Sequence, residues 1–179
     1  MIVTERLVLR PCREADKPAF AALLNTPAMM AELGGVRPRA AIDALVDKRI
    51  ADQARNGFSY WAVERRDTGE LIGTAGLRVA ADYPGTPVEN MVEIGWRIAE
   101  AHWGQGYARE AAGASLAWGW ANIDVPEIGA WTTIGNTRSW GLMRRLGMAR
   151  RPELDFHRPD HAPDDPAGAM IVHTLARPR

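Results

Sequence analysis

The sequence predicts a mixed α/β (α+β) fold, a sheet with helices packed on it, and three observations carry that expectation. Short apolar segments of strand type recur along the chain with amphipathic helical stretches between them. A hairpin falls near the middle. Further on, a strand runs through a short glycine-bearing loop into an alanine-rich helix. The chain has 179 residues, of which 46% are hydrophobic. That fits one domain over residues 1–179 with a sizeable core, and neither an internal repeat nor a domain linker is visible.

Arg6-Leu7-Val8-Leu9-Arg10 alternates and ends at Pro11, as a first strand does. From about Glu14 to Leu24 the spacing is helical, with Ala19, Phe20, Leu23 and Leu24 on one side, and Asn25-Thr26-Pro27 stops it. Gly34-Gly35 and Pro38 mark a loop. A longer helix spans about Arg39 to Arg55 on the stripe Ile42, Leu45, Val46 and Ile50, with Asn56-Gly57 capping its end. Ser59 to Arg65 and Glu70 to Val79 form the hairpin around Asp67-Thr68-Gly69. Ala81 to Val88 reads as a loop and Asn90 to Ile98 as a strand. A helix from about Gln105 to Ala121, a strand over Glu127 to Ile134, a helix over Thr137 to Leu146 and a last strand over Ala169 to Leu175 complete the order. Arg151 to Gly168, rich in Pro, Asp and His, is expected as an ordered loop or short irregular connection.

Formal charge is balanced, with 22 basic and 22 acidic residues, so nothing suggests a broad basic face for nucleic acid or for an anionic membrane. The one cysteine, Cys12, has no partner for an internal disulfide and reads as a small buried residue. No apolar run approaches the roughly 20 residues that cross a bilayer, and Met1 to Arg10 has no signal-peptide character. A soluble cytoplasmic protein, monomer or homodimer, is expected.

The segment Val92-Glu93-Ile94-Gly95-Trp96-Arg97-Ile98, then Ala99 to His102, then Trp103-Gly104-Gln105-Gly106-Tyr107-Ala108-Arg109-Glu110-Ala111 carries the chemistry. The first N–H groups of a helix lack internal partners and carry about half a positive charge, so they suit phosphate oxygens. Gly104 and Gly106 let backbone approach an anion, and Ala108 keeps the first turn slim. The loop is not a Walker loop, because no Gly-Lys-Ser/Thr ending follows. Nor is it a full dinucleotide fingerprint, since Arg109 stands at the third glycine position. A tight strand-to-helix turn without ligand is the plain alternative.

Three segments in order resemble the GNAT acetyltransferase superfamily and, within it, the RimJ/RimL-like branch. They are Thr4-Glu5-Arg6-Leu7-Val8-Leu9-Arg10-Pro11, then Glu93-Ile94-Gly95-Trp96 with Trp103 to Ala111, and then Asn136-Thr137-Arg138-Ser139 with Leu146-Gly147-Met148. The resemblance implies a mixed, mostly antiparallel central sheet with helices on both faces and a splayed parallel strand pair, here the strands around Ile94 and Thr133. It implies acetyl-CoA as cosubstrate, no metal, and direct attack by an amine without an acyl-enzyme. By the same resemblance, backbone at Trp96, Arg97 and Ile98 meets the pantetheine, and Trp103, Gly104, Gln105, Gly106, Tyr107 and Ala108 hold the pyrophosphate. Asn136 contacts the cofactor and Ser139 lies near its sulfur. Acceptors in this branch range from protein N-termini to small molecules. Two positions depart from the superfamily. Trp103 replaces its usual Arg or Gln, as is common in this branch, and Met143 replaces the tyrosine that many members use to protonate the leaving thiolate.

Glu93 is expected as a general base, acting directly or through water, with an ion pair to an Arg such as Arg97 as the alternative. Alternation puts Ile94, Trp96 and Ile98 on one face and Glu93 and Gly95 on the other. Ser139 is the expected proton donor in place of Met143, and Asn136 suits a helix N-cap. His102, His157 and His161 lack metal-ligand spacing. Acceptor choice is assigned to the loops Gly34 to Arg39 and Asp82 to Val88. A non-catalytic acyl-CoA-binding module of the same fold is the rival reading.

Overall fold

The computed structural model describes residues 1–178. The chain opens with two strands, Ile2–Val3 (β1) and Leu7–Arg10 (β2). One 3-10 turn, Glu14–Asp16, then leads into the helix Lys17–Leu24 (α1). Thr26-Pro27 ends α1 and also starts the next helix, Pro27–Met30 (α2). The Thr26 hydroxyl accepts the Met29 N–H, and Pro27 sits where its missing N–H is not needed. Arg39–Asn56 (α3) ends at Gly57, whose φ of 79° closes the helix in the left-handed region.

Tyr60–Arg65 (β3), Leu71–Val79 (β4) and Val92–Ile98 (β5) follow, then Tyr107–Asn122 (α4), Glu127–Thr132 (β6) and Thr137–Arg145 (α5). Ala149–Arg150 (β7), Phe156–His157 (β8) and Ala169–Ala176 (β9) end the described chain. The strands form one nine-stranded sheet in the order β1-β2-β3-β4-β5-β6-β9-β7, with β8 also on β9. Every recorded pairing is antiparallel except β5 with β6.

Period-two alternation sorts the core onto both faces of the sheet. Trp61, Val63, Leu77 and Ile94 pack with Ala111, Ala112 and Leu116 of α4 and with Met143 of α5. Ala62, between Trp61 and Val63, faces the other way, against Phe20 and Leu24 of α1 and Ile42 and Val46 of α3. Gly119 of α4 allows close helix–sheet contact, since a Cβ there would lie 2.5 Å from Leu77 Cδ1. Cys12 is buried beside α1 and α3, as expected.

Residues 151–168 form short turns and β8, and pack back on the sheet. Phe156 stands edge-on to Tyr83 and Trp131. His157 and His161 are tied into the same stretch, His157 Nε2 to the Asp165 carbonyl at 2.9 Å and His161 Nδ1 to the Asp165 carboxylate at 2.8 Å.

At the start of the sheet Arg10 makes a bidentate pair with Asp16, 2.8 Å on each arm, and also pairs with Glu64 at 2.6 Å. Burial alone would push the Asp16 carboxyl up, but the Arg10 guanidinium and the Arg13 N–H outweigh it and hold the carboxyl below its ordinary value. A depressed carboxyl stabilises the fold above its unfolded pKa of about 3.9, and that contribution is lost as pH falls through the lower folded value. Asp16→Asn should therefore destabilise by about 3 kcal/mol at neutral pH, the low end for breaking a buried pair because Glu64 remains. For a chain of this length that is a fall of roughly 6–12 °C in Tm. Thermal melts at pH 7 and pH 3 check this: the gap between the two proteins should narrow in acid.

Candidate active site

The site follows from the register of β5. At one end the Ala99 N–H donates to the Ile72 carbonyl at 2.8 Å, and at the other the Ala80 N–H donates to the Met91 carbonyl at 2.9 Å. Between them Ile98 lies opposite Gly73, and Val92 opposite Val79. Bonded pairs alternate along an antiparallel ladder. The backbone groups of Glu93, Gly95 and Arg97 therefore bond to β4, and those of Ile94, Trp96 and Ile98 point toward β6. β6 meets β5 at one rung, Glu93 opposite Gly129. Past that rung the two strands part, as the resemblance implied. The Ile98 carbonyl accepts the Trp103 indole N–H at 2.5 Å. The Trp96 N–H and carbonyl and the Ile98 N–H are left facing the gap. Arg97 differs from expectation here, since its backbone is turned to β4.

The loop after β5 is shaped by two glycines in the left-handed region, Gly104 at φ 73° and Gly106 at φ 83°. The first return bond of α4 runs from the Glu110 N–H to the Gly106 carbonyl at 3.1 Å. The N–H groups of Tyr107, Ala108 and Arg109 thus point out of the helix start. A Cβ on Gly104 would meet nothing within 4 Å, and one on Gly106 only Arg6 Nη2 at 3.4 Å. Arg6 braces the loop, donating to the Gln105 carbonyl at 3.0 Å and to Glu110 at 2.7 Å, with its guanidinium 4.6 Å from the Tyr107 ring centre. Tyr107 buries its ring in the core, so only its backbone is free for a ligand. Across the gap, the Arg138 guanidinium of α5 lies 4.4 Å from the Trp103 ring centre.

Asn136 caps α5. Its side-chain oxygen accepts the Ser139 N–H at 3.3 Å, and its nitrogen donates to Thr132 Oγ1 at 2.9 Å. Ser139 lies in the first turn of α5, and Met143, one turn on along the same helix stripe, is 2% exposed in the core. Glu93 and Ser139 thus come from different elements, β5 and α5.

On the α1/α3 face of the sheet Glu93 is buried and paired with Arg78 at 2.6 Å, and Arg78 holds Asp82 at 2.6 Å. The expected alternative partner, Arg97, is not the one found. Arg78 is directly opposite Glu93 on β4, whereas Arg97 is four residues along the same strand, about 13 Å away. Burial pushes the Glu93 carboxyl above its ordinary value, with Arg78 and Tyr60 opposing. Tyr60 lies across the trough left by Gly76 and Gly95, and a Cβ on Gly95 would come 2.5 Å from its hydroxyl oxygen. Burial and the charge of Glu93 raise the Tyr60 phenol well above 10. Tyr60, Arg78 and Arg49 were all missing from the sequence-based site. Among the described residues, no group of three metal-binding side chains occurs.

Residues 6–149 match the acetyltransferase (GNAT) domain family. The uncharacterised protein YkkB of Bacillus subtilis is 31% identical over 150 residues, 82% of this chain and 84% of that one. The crystal structure of an acetyltransferase from Agrobacterium tumefaciens superposes with a TM-score of 0.78 at 27% identity, covering 97% of this chain and 92% of that one. The fold is also that of RimL, a ribosomal L7/L12 alpha-N-protein acetyltransferase solved in complex with coenzyme A, with a TM-score of 0.76 at 17% identity over 97% and 96% of the two chains. The open seam, the glycine loop and these likenesses define an acyl-CoA-dependent acetyltransferase. The chain belongs to the GNAT acetyltransferase family.

Proposed function

We propose that this protein moves the acetyl group of acetyl-CoA to a primary amine by direct attack in a ternary complex. The observation that carries the reading is the set of backbone groups at Trp96 and Ile98 that face the gap between β5 and β6 unpaired. They are of the kind that can exchange hydrogen bonds with the amide groups of a pantetheine arm. The N–H groups from Gly104 to Ala108 would take the pyrophosphate, with Trp103, Gln105 and Asn136 flanking. The fit is good: the outer side of Gly104 is open, and the helix start supplies unpartnered donors.

In the reaction the amine nitrogen attacks the thioester carbonyl, the carbon–sulfur bond breaks, and sulfur leaves with the electron pair. The nitrogen must lose a proton and the sulfur must gain one. Glu93, partly desolvated and with its pKa raised, is suited to take the first, directly or through water. Ser139 is the donor expected for the second. Tyr60, kept protonated across the trough at Gly95, is another group able to give one.

The experiment that tests the reading is release of free CoA thiol from acetyl-CoA, with and without each of a panel of amines. Release that depends on an amine supports transfer. Binding of acetyl-CoA with no release on any amine would leave the non-catalytic acyl-CoA-binding module. Ser139→Ala should lower turnover by about 10²-fold or less, because a thiolate is already a fair leaving group. It should leave acetyl-CoA affinity nearly unchanged. Wild-type turnover in that variant would make Ser139 a helix-turn residue only.

A further inference from the structure

The α1/α3 face of β5 holds a second feature that the chemistry above does not use. Arg49 projects from α3 into the interior and is 5% exposed. Its Nη1 donates to Thr74 Oγ1 at 3.1 Å, and its Nε has no partner at all. Aromatic rings contribute part of its environment, with Phe20 at 5.1 Å and Tyr60 at 5.6 Å from the guanidinium carbon. Thr74 is the residue of β4 directly opposite Arg97, so Arg49 and Arg97 converge on one spot of the sheet. Arg97 is partly buried and no hydrogen bond or ion pair is recorded for its guanidinium among the described residues. Its pKa is lowered to about 10, by burial first and then by Arg49 and Arg37. Glu93, the carboxylate whose charge bears on Arg97, is already taken by Arg78.

Two guanidiniums held together without a carboxylate are costly to bury, and one N–H left unsatisfied adds to that. Such an arrangement is stable in use when an anion completes it. The pair lies two residues along β5 from Gly95, roughly 7 Å, and Gly95 is where the strands begin to part. Arg37, from the loop between α2 and α3, adds a third positive charge at the rim.

We propose that Arg49 and Arg97 form an anion site on the α1/α3 face of β5, that the acceptor binds on this face, and that it is an amine bearing a carboxylate close to its nitrogen. This rests on the acetyl-transfer reading and narrows it. The same positive charges oppose polyamines and aminoglycosides, which carry several cations. A carboxylate has two possible sources, the α-carboxylate of a small molecule or an acidic side chain near a peptide N-terminus, and the test separates them.

The acceptor panel is alanine, leucine, serine, β-alanine and 4-aminobutyrate, each as free acid and as carboxamide. The dipeptide amides Ser-Asp and Ser-Asn and the polyamine spermidine complete it. Carboxamides deprotonate more easily at nitrogen, which biases the comparison against the proposal. The expected result is that at least one free acid exceeds its carboxamide by about 10–100-fold in kcat/KM, the range of one or two charge-assisted hydrogen bonds. Preference for Ser-Asp over Ser-Asn with no free acid favoured would assign the site to a peptide side chain and still support the anion site. Arg97→Met should raise KM for the favoured acceptor by a similar factor, leave KM for acetyl-CoA unchanged and erase the preference for the carboxylate. Binding supplies a readout independent of turnover: calorimetry of N-acetylalanine and N-acetylalaninamide with wild type and with Arg97→Met. Tighter binding of the carboxylate by wild type alone supports the site even if no amine is acetylated, an outcome that would overturn only the transfer reading. Equal binding of acid and amide together with no preference for Ser-Asp over Ser-Asn, or spermidine as the best acceptor, overturns the anion site.

Discussion

Gly106→Trp should abolish measurable acetyl-CoA binding while the protein still folds. Gly106 sits at φ 83° immediately before α4, in the left-handed region, and only Arg6 Nη2 approaches the position of a Cβ. A tryptophan there is strained by about 1–2 kcal/mol, and its ring has to lie over the helix start. The N–H groups of Tyr107 and Ala108 are then screened from an anion. Losing two charge-assisted hydrogen bonds removes about 3–6 kcal/mol, roughly 10²–10⁴-fold in Kd. Calorimetry with acetyl-CoA measures the loss, and circular dichroism shows that the strained variant is folded. Unchanged affinity in a folded variant would place the phosphate site elsewhere.

The second large effect is expected at Glu93. Glu93→Gln keeps the shape and removes the base, and Arg78 keeps Asp82 as a partner. The carboxyl must be ionised to take a proton, and burial raises its pKa despite Arg78. Wild-type turnover should therefore fall as pH drops through that raised value. The variant has no such limb and depends only on the free amine. Near neutral pH the expected loss is on the order of 10²–10⁴-fold, with partial recovery as pH rises. The size of the recovery reports the amine. At pH 7 roughly a tenth of an α-amine is already neutral, against well under a thousandth of a lysine amine. Parallel pH–rate profiles, with the variant equally impaired at every pH, would show that Glu93 orients substrate or supports the strand.

The order of the principal elements was legible because it rests on local signals. The hairpin at Asp67-Thr68-Gly69 and the cap at Gly57 are examples, Gly69 and Gly57 having φ of 71° and 79°. The two-residue strands β1, β7 and β8 were not legible, since two residues carry no periodicity and owe their pairing to neighbours. The helix α2 was readable in hindsight, for Thr26-Pro27 is an N-cap followed by proline at the first position.

The glycine loop proposed for the cofactor was legible for the same local reason, as glycines beside a helix start. The α1/α3 face proposed for the acceptor was not. The pairing of Glu93 with Arg78 and the reach of Tyr60 over Gly76 to Gly95 depend on the β3–β4–β5 register, which spacing along the chain does not encode. Arg49 did leave a signal. The stripe Ile42, Val46 continues at the next helical position to residue 49, so an arginine stood where a core residue belonged.

The lone rung between β5 and β6 also has a mechanical consequence. β1 to β5 and β6 to β9 are two panels joined at one crossbar and by the helices laid across them. A ligand lying in the opening acts as the missing crossbars. By mass action, a ligand at a hundred times its Kd adds about 2.7 kcal/mol to the folded state, a large fraction of what a domain has in reserve. On the proposed function the donor of the reaction would also be a stiffener, and limited proteolysis should then cut the empty protein along the seam faster than the loaded one.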